Sequence, residues 1–301
     1  GNPDITIDLA SCWQSMLGII ALAYGIKEFA KPDSHSLLAW SALLLGAMLL
    51  AVFIRRQLRI PRPLIDLRLL CAAPIATGML VALIASMTLI GFELVLSQRL
   101  QLVAGKSPLE AGAFVLPISL GSFFAGPLAG ALIGRVGSVR VIVAGLCMTA
   151  LGIAGYMLLR DASVWAQVLI LALCGIGIGS SLTASSTLVM SNVAEDRAGM
   201  AGSVEGVAYE FGGGFGVTIF GSIMTAVYVA NVQEMGLSHM AGSSLDEAHT
   251  YAQAHPGASQ ALASAMQAFE ASFTWVSALV AVMLFGLACM VLLNRKKLPT
   301  R

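Results

Sequence analysis

Charge is what this chain has least of. Asp, Glu, Lys and Arg together make up only 11% of its 301 residues, against about 25% in an ordinary soluble domain. Apolar residues make up 57% and the mean hydropathy is +0.85. A soluble globular core is therefore not the expected solution. The formal net charge of +1 carries no message about partners, because the charges are segregated, and nucleic acid is not expected among them. The five cysteines (Cys12, Cys71, Cys147, Cys174, Cys289) form no CxxC and no paired spacing, and most sit in apolar runs. They read as small packing residues, not as disulfides or metal ligands. Also missing are an HExxH pair, a nucleophile elbow, a phosphate-binding Lys motif and paired catalytic histidines. The expectation is a chain that is not an enzyme and holds no cofactor or metal. No cleavable signal peptide precedes the first apolar run. The chain starts at Gly1 rather than Met, which suggests a piece of a longer product.

What the sequence does have is long apolar runs. About 20 such residues cross a bilayer as a helix, and eight runs qualify: 9–29, 36–54, 74–98, 110–131, 139–159, 164–189, 201–229 and 270–293. The predicted fold is all-α, a polytopic membrane helix bundle of about eight transmembrane helices. Trp13, Trp40, Trp165 and Trp275 each fall near the start of a span, as interface anchors do. Lys and Arg divide unequally between the two sets of loops. One set holds twelve: Arg55, Arg56, Arg59, Arg62, Arg68, Arg135, Arg140, Arg197, Arg295, Lys296, Lys297 and Arg301. The other holds five: Lys27, Lys31, Arg99, Lys106 and Arg160. The positive-inside rule makes the first set cytoplasmic and, with an even number of spans, puts both termini there too. Residues 55–72 form a basic amphipathic connector expected to lie along the inner surface; an ordinary positive-inside loop explains its charge equally well. The 230–269 segment has no Lys or Arg and contains His239, His249 and His255 without tight ligand spacing. It is expected outside as a polar loop and is assigned no metal.

The chain is organised around residues 205–221, EGVAYEFGGGFGVTIFG. A charge at a helix centre in a bilayer costs about 2.5 to 3.5 kcal/mol on insertion scales, so an acidic residue kept there is a functional hypothesis by default. At roughly 100° per residue, Glu205, Tyr209, Gly212 and Gly216 share one helix face. Glu210 lies on another, with Gly206, Gly213, Gly214 and Gly221. Both faces are lined with small residues that allow a neighbouring helix or a ligand close to the backbone. Glu93 is a third acidic candidate; it faces a cavity or pairs with Arg99 at the interface. Glu205 has an alternative of its own, a place at the inner interface near Arg197. In the fourth run, Pro117, Gly121, Gly126, Pro127 and Gly130 predict a bent helix. The GxGxG of CGIGIGSSLTASSTL (174–188) follows no strand and reads as close helix packing rather than a nucleotide loop. Its hydroxyls are available to line a polar path.

Residues 130–140, GALIGRVGSVR, resemble the short cytoplasmic loop motif G-x-L-a-D-R-x-G-R of the major facilitator superfamily. Gly130, Leu132, Arg135 and Gly137 match; Gly134 stands at the acidic position and Ser138 where a base is common, as in a decayed second copy. ALAYGIKEFA (21–30), PLIDLRLL (63–70) and LQLVAGKSPLEAGAFVLP (100–117) resemble the fourteen-span drug:proton antiporters. The EGVAYEFGGGFG block and the long loop before the last span are similar to members of the SmvA/QacA type, which export quaternary ammonium compounds and methyl viologen. The resemblance covers essentially the whole chain. It implies two inserted linker helices (1–54), the connector (55–72), a six-helix C-terminal transporter half (73–294) and a basic cytoplasmic tail (295–301), in the bacterial inner membrane. The N-terminal six-helix half would be missing. The implied partners are lipophilic cationic small molecules, protons and membrane lipid, and the implied function is proton-coupled efflux by alternating access. The sites expected to exchange a proton for a cation are Glu210 first, then Glu205 and Glu93, with Tyr209 beside them. Tyr209, Phe211 and Phe215 would offer aromatic faces to the cation. The same carboxylates would serve a symporter or facilitator, and a truncated, non-transporting half is the further alternative.

Overall fold

The structure is a computed structural model and describes residues 8–29, 36–60, 71–237, 242–255 and 257–297. Most of the 55–72 connector, the PLIDLRLL stretch at 63–70, His239 and the last four residues lie outside the described set. Among the described residues there is no strand, and eight helices are long and apolar enough to cross a membrane. The all-α polytopic bundle read from the sequence is what the chain forms. The chain divides into two compact units, Gly1–Ala72 and Ala73–Arg301.

The first unit is a helical hairpin of α1 (Leu9–Phe29) and α2 (Ser36–Gln57). Glycines let the two helices meet. A Cβ on Gly18 would press on Leu50, one on Gly25 on Leu43, and one on Gly46 on Leu22. These contacts run in opposite directions along the two helices, as an antiparallel pair requires. One end is tied by polar bonds. Arg56 donates from Nε and Nη2 to the two Asp8 oxygens, each at 3.0 Å. Ser11 Oγ donates to Asp8 Oδ2 at 2.6 Å, and Gln57 donates to Ser11 Oγ at 2.9 Å. The outside is apolar, with Trp13, Leu44 and Met48 all exposed, as a lipid-facing surface is.

The second unit contains α3 (Ala73–Leu102), α4 (Pro108–Val136), α5 (Ser138–Leu159), α6 (Val164–Met190), α7 (Ala198–Glu234), α8 (Leu245–Ala254) and α9 (Ser259–Leu293). The most extensive pairings are α3 with α7, α4 with α6, and α5 with α6; α9 packs on α5, α7 and α3. Helix α6 sits between α4 and α5 because of its glycines. Gly175 and Gly179 lie against the α4 backbone at Ile118 and Ser122, while Gly177 lies against Gly145 and Thr149 of α5. The CGIGIG run is thus a two-sided packing surface. The core between the helices holds Phe92, Leu96, Leu146, Tyr156, Phe220 and Phe273, each 1% exposed or less.

Local sequence sets the helix ends. Ser107 and Glu110 form a reciprocal capping box at the start of α4, Ser163 caps α6 and Ser244 caps α8. A single residue, Gly137, joins α4 to α5 at φ 87°, and its N–H donates to the Ile133 carbonyl at 2.8 Å. That backbone is one an L side chain rarely adopts. Much of the polar 230–269 segment is helical. Helix α7 runs on to Glu234, α8 forms a separate helix, and α9 begins at Ser259. These turns are polar, so an apolar-run criterion stops short of them. Leu245 and Ala248 bury the apolar side of α8, and His249 Nε2 sits 2.8 Å from the Leu102 carbonyl oxygen at the end of α3.

Candidate functional site

The acidic residues singled out in the sequence gather on α3 and α7. These helices run in the same direction, since Gly212 meets Leu83 and Gly216 meets Met87. Gly212, Gly213 and Gly216 are buried; a Cβ on them would collide with Leu83, Ile90 and Met87. Ser86 Oγ on α3 donates to the Tyr209 carbonyl at 2.6 Å. One glycine face of α7 is therefore filled by α3, which also covers Gly213; helical spacing put that residue on the second face, but it lies against Ile90. The rest of that second face is open: nothing lies within 4 Å of a Cβ placed on Gly206, Gly214 or Gly221. Glu210 stands on this open side, exposed, with no hydrogen bond or ion pair among the described residues.

Glu205 and Glu93 are half-buried and touch neighbouring helices. Ser186 Oγ of α6 donates to Glu205 Oε2 at 3.1 Å, and Ser119 Oγ of α4 donates to Glu93 Oε1 at 3.0 Å. Neither carboxylate has a cationic partner among the described residues. Tyr209, half-buried, lies within electrostatic reach of both Glu93 and Glu210, and Phe211 and Phe215 stack at 5.8 Å. Of the α6 hydroxyls, Ser181, Thr183 and Ser185 donate to carbonyls of their own helix; Ser186 is the one that reaches a carboxylate. The arrangement brings carboxylates from two helices, hydroxyls from two others and three aromatic rings to one group of helices. It can offer negative charge to a cation.

The pairing of Glu93 with Arg99 does not form. Arg99 turns instead to Glu270 on α9, a residue the sequence reading passed over. Arg99 Nη2 lies 2.8 Å from Glu270 Oε1 and Nε donates to Oε2 at 3.0 Å. Arg99 also donates to Tyr156 Oη at 3.2 Å and lies over the Phe273 ring. Arg160 reaches the same carboxylate at 3.3 Å. The signal was present: Arg99 and Arg160 crowd one end of the bundle, and a buried arginine needs a carboxylate.

The loop motif is split in its behaviour. Gly137 is the α4–α5 joint. Gly130 is open, and Leu132 and Arg135 are exposed, Arg135 with no ion pair among the described residues. An Asp–Arg latch has no acid to use here, since Gly134 occupies that place. His255 Nδ1 lies 3.1 Å from the Tyr251 carbonyl, and no group of three metal-ligating side chains exists among the described residues.

The sequence profile of the Major Facilitator Superfamily matches residues 13–217. The chain belongs to the major facilitator superfamily. It is a multi-pass membrane protein of a transporter family. The methyl viologen resistance protein SmvA of Salmonella typhimurium is 37% identical over 235 residues, which is 77% of this chain and 47% of that protein. The multidrug efflux pump LfrA of Mycolicibacterium smegmatis is 31% identical over 292 residues, 94% of this chain and 58% of that protein. The chain thus spans about half the length of the curated relatives it matches. A solved bacterial homologue of the human lysosomal transporter Spinster, inward-facing and unoccupied, matches with a TM-score of 0.56 at 16% identity, covering 96% of this chain and 66% of that one. That likeness concerns the fold alone.

Proposed function

We propose that this chain is the C-terminal portion of a fourteen-span drug:proton antiporter that exports lipophilic cations such as quaternary ammonium compounds and methyl viologen from the bacterial cytoplasm. The observation that carries the reading is the state of its membrane carboxylates. Among the described residues Glu93 and Glu205 are met by serine hydroxyls, Glu210 makes no hydrogen bond or ion pair, and none of the three has a cationic partner. A carboxylate in a membrane helix without a resident counter-charge is held for a mobile one. A proton and a cationic drug then compete for the same negative charge, and that competition is the coupling. The kinship with proteins named for methyl viologen resistance and multidrug efflux supports the substrate class.

In this superfamily the substrate site lies near the bilayer midplane between two halves that rock against each other. Residues 73–294 would supply one wall. The other would come from six helices beyond this chain, with α1 and α2 as the inserted pair. The Lys and Arg distribution orients the Gly137 joint toward the cytoplasm and α8 outward, with both termini inside. Residues 1–301 alone are then expected to insert as a bundle without driving export.

The deciding experiment is Glu210→Gln in the complete transporter, which keeps shape and removes the exchangeable charge. Proton-driven efflux of methyl viologen from vesicles is expected to fall by at least about 10-fold, the scale on which removing an essential charged group acts. Unchanged pH-dependent efflux at equal protein abundance would overturn the assignment.

A further inference from the structure

The hairpin of α1 and α2 holds a cleft of its own. Its volume is about 570 Å³ and it is lined by Gln14, Val52, Arg55, Arg56, Arg59 and Ile60. Arg55 lies in the last turn of α2 and Arg59 in the turn that follows it, and both line the cleft. Arg56 is already held by Asp8. Arg55 and Arg59 have no ion pair among the described residues. Among the described residues three arginines face one aspartate there, an excess of two positive charges. Gln14 also lines the cleft, with its Oε1 buried away from the opening.

We infer that this cleft is a binding site for the headgroup of an anionic phospholipid, its phosphodiester on Arg55 and Arg59. Arginine forks match phosphate oxygens geometrically as well as electrostatically. The choice of a lipid over a free phosphate follows from the apolar wall. Val52 lines the cleft, and Met48 and Ile54 are exposed on the same helix at 67% and 45%. Acyl chains cover such a surface and inorganic phosphate does not. The choice of an anionic over a zwitterionic lipid follows from the uncompensated charge. Basic clefts at the ends of membrane helices are suited to this role. The site would anchor the inserted pair and make its packing depend on lipid composition. The inference stands on its own and does not require the transport reading.

The test is native mass spectrometry of purified residues 1–301, titrated with phosphatidylglycerol and phosphatidylcholine of identical acyl chains, with inorganic phosphate as a competitor. The expected result is one phosphatidylglycerol retained at least about 10-fold more tightly than phosphatidylcholine, with that preference lost in Arg55→Gln/Arg59→Gln, as two phosphate-facing charges warrant. A control, Arg295→Gln/Lys296→Gln, removes the same charge from exposed positions at the other end of the sequence and should change nothing. Equal retention of the two lipids, unaltered retention by the arginine double variant, or an equal loss in the control would overturn the site. So would displacement of the lipid by millimolar phosphate, which would make it a free-anion site. Unchanged helical circular dichroism in each variant keeps these outcomes interpretable.

Discussion

Two sets of carboxylates in the same compact unit, residues 73–301, are treated in opposite ways. Glu270 is enclosed by Arg99 and Arg160, and Arg99 is itself held by Tyr156 and Phe273. Every charge there has a permanent opposite. Glu93 and Glu205 receive a single serine hydroxyl each, and Glu210 receives no partner among the described residues. A bundle able to build the first arrangement could have built the second the same way. On the proposed function, the difference separates charge that holds helices together from charge kept free to change partner. In a membrane both are costly, so both need a reason.

The sharpest way to break this contrast is to remove Glu270. Glu270→Ala leaves Arg99, whose side chain is only 11% exposed, buried without its main counter-charge. Breaking a buried pair this way costs about 3 kcal/mol. A marked fall in the thermal midpoint of the purified protein is expected, with α3, α5 and α9 loosening together in hydrogen exchange. An unchanged midpoint would mean that the cluster is not structural and that the comparison fails on its first side.

Next in size is the glycine seam of α7. Gly212→Val would drive its side chain into the Leu83 carbonyl, and overpacking of this kind costs about 1–3 kcal/mol. Gly214→Ala, two residues on, meets nothing within 4 Å and should be neutral within about 0.5 kcal/mol or slightly stabilising through helix propensity. Thermal unfolding of the two variants side by side reads the difference. Equal destabilisation would show that the open face is also packed, and would remove Glu210 from a free surface.

These positions also show how far the sequence could be read. The eight spans were legible because apolar length in a bilayer leaves few alternatives. Gly212 and Gly216 were legible as a close-packing face because helical periodicity alone puts them together. Which glycine face met a helix was not, since both rows look alike until α3 is placed. Glu93 was legible as a membrane carboxylate, but its partner was not. Arg99 lies six residues further along α3, and Ser119 and Glu270 lie on other helices, so only the tertiary arrangement decides. Helix α8 and the early turns of α9 were missed because their polarity resembles a loop's, and Glu270, the first residue of the eighth run, went unread because its arginine partners lie on α3 and at the end of α5.

Glu93→Gln tests the second side of the contrast with a smaller structural effect. The amide oxygen can still accept from Ser119, and no cation is left unpaired. Stability should change by less than about 0.5 kcal/mol. Coupling should not be spared: in the complete transporter, methyl viologen efflux is expected to lose part of its pH dependence, less than with Glu210→Gln. A large loss of stability with transport intact would place Glu93 among the structural carboxylates beside Glu270.

The smallest effect belongs to a third kind of carboxylate, one outside the spans. Asp8 sits just before α1, and its pKa is lowered from 3.8 to about 2 by the hydrogen bond from Ser11 and by those from Arg56. Because the folded value lies below the unfolded one, whatever the contact contributes is fully present above about pH 4. It is lost as the pH falls through about 2. Water and salt screen such a partly exposed pair, so Asp8→Asn at neutral pH should shift the thermal midpoint least of all these changes. The informative measurement is a carboxyl-carbon NMR titration of Asp8. A midpoint near 2 that rises in Arg56→Gln is expected. A midpoint at 3.8 in the unaltered chain would mean that Arg56 is free of Asp8 in solution. The cleft between α1 and α2 would then carry all three arginines uncompensated, and its affinity for an anionic headgroup should rise accordingly.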